Sequence, residues 1–274
     1  MSFISHSPKE NQVHYLFIDG AYLRGVLDTY SKKLYSEMKL AVDYSRLAGG
    51  CTKVFYYDCP PPRSVQDTDQ TYAQRLAEQE ALYRRLKALR GWHIYEGVTK
   101  RTGKRAKQKE VDILIAVDML SHSHRKNMSK ASFIAGDQDF RPLVDALVRE
   151  GMFIELIYDP TSASGELADA ADARQEISPY LLESWLADDF RQAYPLPLRS
   201  GSTETLPPSA RLLKSAHRGD CWVKLYEFGA EFLLVHPDQQ NPKMLYRMTH
   251  HDQALLLRVH EIMHGPTNWS PSEA

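Results

Sequence analysis

The chain has 274 residues, of which 34 are Lys or Arg and 35 are Asp or Glu, so its formal net charge is −1. That balance excludes a polycation, and any contact with nucleic acid has to rest on a local patch. Apolar content of 43% and charged content of 25% are those of a soluble globular protein. No apolar run approaches the roughly 20 residues of a membrane helix, and residues 1–10 lack the charged head and apolar core of a signal peptide. The 3 cysteines, Cys51, Cys59 and Cys221, are odd in number and form no close metal pair, which fits reduced thiols in a cytoplasm.

Residues 13–18 read as a short buried strand that ends at Asp19. Residues 20–30 and 41–48 read as helical. Residues 53–57 make a second strand, closed by Asp58 and the break Pro60-Pro61-Pro62. In 71–90, Leu76, Leu82, Leu86 and Leu89 recur near helical spacing with Arg and Glu between them, as in an amphipathic helix. Residues 92–98 form a third strand, 110–121 a helix, 131–135 a fourth strand and 139–150 the next helix. Residues 152–158 form a fifth strand before Asp159-Pro160, and 178–190 a last helix. Alternation of this kind predicts an α/β domain with a mainly parallel sheet and helices on both faces. It spans residues 1–193. The Pro-, Ser- and Thr-rich stretch 194–208 reads as a linker. Residues 209–274 carry strand-like runs at 221–228, 231–235 and 243–248 and a helix near 252–264, a small α+β segment. At about 65 residues its own core is marginal, so it is expected to pack on the first domain or on another subunit as a homo-oligomer.

Four carboxylates carry the chemistry. Asp19 closes the first strand, Asp112 opens an otherwise apolar helix, and Asp137 and Asp139 follow the fourth strand in Gly136-Asp137-Gln138-Asp139-Phe140. Acids at strand ends collect in the crevice of an open α/β sheet. Such a group repels itself unless a cation neutralises it, and hard divalent ions such as Mg²⁺ prefer oxygen ligands. Asp19, Asp137 and Asp139 also have a plainer reading as helix caps, while a charge such as Asp112 on an apolar helix needs a partner or water. Asp118 lies six positions after Asp112, about 120° around a regular helix, and is expected to make a structural pair or an outer contact.

The motifs Phe17-Ile18-Asp19-Gly20-Ala21, Lys109-Glu110-Val111-Asp112 with the apolar run to Leu120, and Gly136-Asp137-Gln138-Asp139-Phe140-Arg141-Pro142 resemble, in this order, the NYN branch of the PIN-like nucleases. The resemblance covers about residues 13–160. It implies a PIN-like, Rossmann-like sheet of strand order 3-2-1-4-5, with Asp19 beside Asp137 and Asp139. It also implies metal-dependent cleavage of single-stranded or locally unpaired RNA, with Mg²⁺ or Mn²⁺ held by Asp19, Asp112, Asp137 and Asp139. The family carries Asn three residues after the first Asp, where this chain has Tyr22.

The run 99–109 holds Lys100, Arg101, Lys104, Arg105, Lys107 and Lys109 with no acid, and leads straight into Asp112. A cationic rim beside an acidic site attracts a polyanion, so these six are candidate RNA contacts. Tyr22 and Tyr57, near strand ends, are candidates for stacking on unpaired bases, with core packing as the plainer reading. Near the C-terminus, His260-Glu261-Ile262-Met263-His264 matches the spacing of a zinc-protease helix. A protease also needs a third ligand; downstream the sole carboxylates are Glu273 and the terminus, and upstream His250 or His251 could serve. The expected reading is an ordinary amphipathic helix without zinc.

Two other classes compete with a cytoplasmic ribonuclease. One is a catalytically weak RNA-binding or interaction module on the same fold, for which Tyr22 speaks. The other is an Asp-dependent phosphatase; the haloacid dehalogenase type needs a second Asp two residues after the first, where Ala21 stands.

Overall fold

The first strand, β1 (His14–Asp19), is a nearly unbroken apolar run buried along its length after His14, as expected of a strand covered on both faces of a parallel sheet. The computed structural model describes residues 13–61, 63–97, 109–202, 206, 209–218, 221–238 and 244–271. These group into two compact units, one of residues 1–27 and 43–177, the other of 28–42 and 178–274.

In the first unit, β1 leads into α1 (Gly20–Leu34), whose residues from 28 on count with the second. There follow α2 (Tyr44–Leu47), β2 (Lys53–Asp58), α3 (Asp69–Lys87), β3 (Trp92–Glu96), α4 (Lys109–His124) and β4 (Lys130–Ile134). A 3-10 turn (Gln138–Phe140) then precedes α5 (Arg141–Arg149), β5 (Phe153–Tyr158), α6 (Gly165–Ala170) and β6 (Ala173–Glu176). The sheet is six-stranded in the order β3-β2-β1-β4-β5-β6, and every pairing in it is parallel. The expected order 3-2-1-4-5 holds, with β6 added at the edge. Strand alternation sorts the side chains. Tyr15, Phe17, Phe55, Tyr57 and Phe133 share one core with Val111, Ile115 and Met119 of α4 and Leu143, Val144 and Leu147 of α5. From the other side of β2, Tyr56 meets Tyr83 of α3 with ring centres 6.4 Å apart.

The second unit holds α7 (Pro179–Ser184), α8 (Asp188–Ala193), β7 (Leu198–Ser202), β8 (Arg211–Arg218), β9 (Cys221–Phe228), β10 (Glu231–Pro237), β11 (Leu245–His250), α9 (Gln253–His264) and β12 (Ser270–Pro271). Its strands form a second, antiparallel sheet in the order β12-β8-β9-β10-β11-β7. Asp252 starts α9 as its N-cap, accepting from Ala254 and Leu255 N–H at 2.8 and 3.2 Å.

Several segments depart from the sequence reading, which did not include α6, β8 or β12. The stretch taken as a linker contributes β7, which pairs with β11 at a sheet edge; its exposed Leu198 and its Ser and Gly residues carry no buried-strand pattern. The helix expected over 178–190 divides into α7 and α8. Between them Leu186 bridges Val42, and Ala187 N–H donates to Ala41 O, so the backbone leaves the helix to pair elsewhere. Polar β6, Ala-Arg-Gln-Glu, was not expected as a strand because it covers the sheet edge with mostly exposed side chains. No helix among the described residues is long and apolar enough to cross a membrane.

Candidate active site

In the order β3-β2-β1-β4-β5 the chain reverses direction of travel between β1 and β4, and the crevice of an open parallel sheet lies outside the strand ends at such a point. Ile18 of β1 pairs with Ile134 of β4, so Asp19 and the segment 135–137 emerge side by side. They open into a crevice of about 700 Å³ lined by Asp19, Tyr22, Gly136, Asp137, Thr161 and Ser164, among others.

Asp19 is 4% exposed, and its Oδ1 accepts the backbone N–H of Tyr22 at 3.0 Å. Burial pushes its carboxyl above the usual carboxylate range. The N–H groups of Tyr22 and Ala21 pull it back, the Asp58 charge pushes it up, and Arg24 opposes. Asp137 is exposed, and its Oδ1 caps the 3-10 turn by accepting Asp139 N–H at 2.9 Å. The capping role and the crevice position therefore coexist in both residues. Asp139, exposed on that turn, and Asp112, half-buried in the first turn of α4, do not line the crevice. Asp112 and Asp19 both act on the Cys59 thiol, which is pushed up by burial first, then by Asp58, and also by Asp19 and Asp112, with Arg24 opposing. Among the described residues, no three carboxylates bring ligand oxygens within 4.8 Å of one another.

Asp118 accepts a hydrogen bond from the Tyr57 hydroxyl at 2.8 Å, the structural pair expected for it. This corrects the stacking role considered for Tyr57. It lies on the same side of β2 as Phe55, is 0% exposed and stacks on Tyr95 at 5.0 Å, so no base can reach it. Tyr22 does line the crevice. Its hydroxyl accepts Asp159 N–H at 2.8 Å, and its ring lies against Gly136, where an added Cβ would sit 2.2 Å from Cε2. Lys100, Arg101, Lys104, Arg105 and Lys107 lie outside the described residues, as does the side chain of Lys109.

Two further acids at strand ends shape the site. Asp58, 1% exposed, forms an ion pair with Arg24 and accepts from Gln79 Nε2 at 2.9 Å. Asp159, 2% exposed, accepts from Thr161 N–H and Oγ1 and from Ser162 Oγ at 2.9–3.1 Å, which folds the loop after β5 into a crevice wall. The signal for both was the one that singled out Asp19, an acid closing an apolar strand; their charges are committed to neighbouring donors.

Among curated proteins, none matches the chain. Among solved structures, a protein of unknown function from Vibrio parahaemolyticus is similar over 66% of this chain and 100% of its own, at 14% identity and a TM-score of 0.46. GenD2 from gentamicin A biosynthesis, solved in complex with NAD, is similar over 88% of this chain and 74% of its own, at 11% identity and a TM-score of 0.27. The family model of the NYN domain matches residues 15–178, more than half of the chain, and the protein belongs to this family of PIN-like nucleases.

Proposed function

We propose that the chain is a divalent-metal-dependent endoribonuclease that hydrolyses phosphodiester bonds of single-stranded or locally unpaired RNA in the cytoplasm. One observation carries the reading: Asp19 and Asp137, from the ends of β1 and β4, line one crevice at the point where the strand order reverses. The donor set fits a hard cation. Mg²⁺ keeps several waters and is usually held by one or two carboxylates together with substrate phosphates rather than by an all-protein cage. Asp19 and Asp137 would hold Mg²⁺ or Mn²⁺, with Asp112 and Asp139 acting directly or through water. Bound there, the ion supplies a water activated for attack on phosphorus and neutralises charge on the departing oxygen.

The chain's own residues do the rest. The Tyr22 N–H fixes the Asp19 carboxylate, and Asp137 orders the turn that carries Asp139. Thr161 and Ser164 give the facing wall polar groups suited to a sugar-phosphate backbone. The basic residues of 100–109 hold the phosphates on the approach to α4. The free thiols Cys51, Cys59 and Cys221 agree with a reducing compartment.

Wild type and Asp137→Asn are to be incubated with unstructured RNA, a DNA oligomer and a small phosphomonoester, with Mn²⁺ or with EDTA. Asn keeps the capping oxygen, so the variant stays folded. Wild type is expected to cut RNA only with metal, and the variant not at all. Cleavage by Asp137→Asn at the wild-type rate would reject the site. The commitment of Tyr22 to Asp159 and Gly136 favours one alternative, a weakly cutting RNA-binding module; RNA binding without cleavage in Mn²⁺ would establish it.

A further inference from the structure

Helix α9 carries His260 and His264 one turn apart, so both project from one face. That face meets β10, which supplies His236. The ring centres of His236 lie 5.6 Å from His260 and 5.1 Å from His264, and the two helical rings are 4.8 Å apart. Each of the three offers a ligand nitrogen, and these nitrogens all lie within 4.8 Å of one another. His236 and His260 are buried, at 7% and 1% exposure.

His236 is also prepared as a ligand. Its Nδ1 is 2.8 Å from the Pro237 carbonyl. A carbonyl can only accept, so Nδ1 carries the proton and Nε2 keeps its lone pair. That Nε2 is buried and has no hydrogen-bond partner, a costly arrangement for a polar atom. An imidazole held through one nitrogen by a backbone carbonyl, with the other aimed into a cluster, is the usual arrangement around a metal. Tyr246 stacks on the ring at 4.8 Å and fixes its plane.

We propose that His236, His260 and His264 bind a zinc-class transition-metal ion that ties α9 to the second sheet. Three neutral imidazoles without a carboxylate suit Zn²⁺ and its neighbours, and not Mg²⁺ or Mn²⁺. The set differs in chemistry from the acidic crevice and is independent of the nuclease reading. Around a tetrahedral Zn²⁺ with bonds of about 2.0–2.1 Å the nitrogens stand roughly 3.4 Å apart, so small side-chain rotations complete the site and leave a fourth position for water. Glu261 is exposed, away from buried His260, so the protease reading of the motif lacks its base and the ion serves to bind. The expectation of a zinc-free helix is thereby replaced. The third ligand comes not from His250, whose Nδ1 accepts Asp252 N–H at 2.9 Å, but from a strand distant in sequence.

The test uses the untagged full chain, stripped of metal and titrated with Zn²⁺ against a chromophoric chelator, with Co²⁺ absorption as a second readout. Equimolar tight Zn²⁺ binding, visible Co²⁺ bands of a low-coordinate site and a rise in melting temperature with Zn²⁺ are expected. His236→Gln should weaken binding by more than the roughly 10- to 100-fold that loss of an outer-shell partner costs. His251→Gln should retain binding, and so should the double variant Asp19→Asn, Asp137→Asn, which separates this ion from any in the acidic crevice. Failure of the wild type to bind Zn²⁺ would overturn the proposal whether or not the variants fold. Unchanged affinity in His236→Gln, or loss of zinc in the double Asp variant alone, would also overturn it.

Discussion

The backbone N–H of Asp159 donates to the phenol oxygen of Tyr22 across 2.8 Å, joining the loop after β5 to the first turn of α1. The position that the family fills with a small amide thus acts here as a brace across the crevice. Tyr22→Phe removes the acceptor and leaves a buried N–H unsatisfied, at a cost of about 1–3 kcal/mol. Urea unfolding of the two proteins measures it, and an unchanged midpoint would mean that the bond carries no stability.

Tyr22→Asn also removes the ring from the crevice. The Asp19 carboxylate is held by the backbone N–H of residue 22, which the substitution keeps. The preference among short RNAs should therefore change while the Mn²⁺ concentration for half-maximal activity stays put. A shift in the Mn²⁺ curve alone would put the side chain in the metal's surroundings.

Binding of RNA should weaken steeply with salt through the run 100–109. Each lost phosphate contact lowers the log–log slope by about 0.7 for a single strand, so Lys104, Arg105 and Lys107 changed together to Ala should flatten it by about 2. An unchanged slope assigns the run to a passive loop.

On the sheet, Glu155 accepts from Ser132 Oγ at 2.6 Å and pairs with Lys130 at 2.9 Å. Burial raises its pKa, but Ser132, Lys130 and His14 together outweigh that and hold it below the ordinary glutamate value. A depressed native value means that the ionised form stabilises the fold fully above the unfolded chain's ordinary glutamate pKa and loses that effect as pH falls through the lowered value. With both side chains of the pair only about a quarter exposed, Glu155→Gln should cost roughly 1 kcal/mol at neutral pH. The gap to wild type should close in acid. Unfolding free energies across pH 3–7 decide it, and a gap constant with pH would exclude an electrostatic origin.

The parts of this molecule that were legible in its sequence are those with local causes. Residues 13–18, 53–57 and 131–135 announce buried strands because both of their faces are covered, residues 152–158 do so through an apolar run buried on one face, and Asp19 and Asp137 stand out as acids beside such runs. Strand order needed the family resemblance, since one apolar run does not say which other it lies beside. Strands β6 and β7 stayed hidden because an edge strand with solvated side chains needs no apolar alternation. Tyr57 belongs to the core through its side of β2, which the alternation with Phe55 could have told. His236 could not be found as the partner of His260 and His264, because only the packing of α9 on β10 brings them together.

Gly136 and Tyr22 also constrain the order in which this chain can change. While the ring lies on position 136, Gly136→Ala drives a methyl group into it and should overpack by about 1–3 kcal/mol. In a Tyr22→Asn background the ring atoms that the methyl would strike are gone, and a double-mutant cycle on unfolding free energy should return a coupling of that size. The ring at position 22 therefore lies as it does only over a bare glycine, and it penalises any side chain at position 136. The pair works as a ratchet: a descendant regains freedom at one position only by first giving up the other.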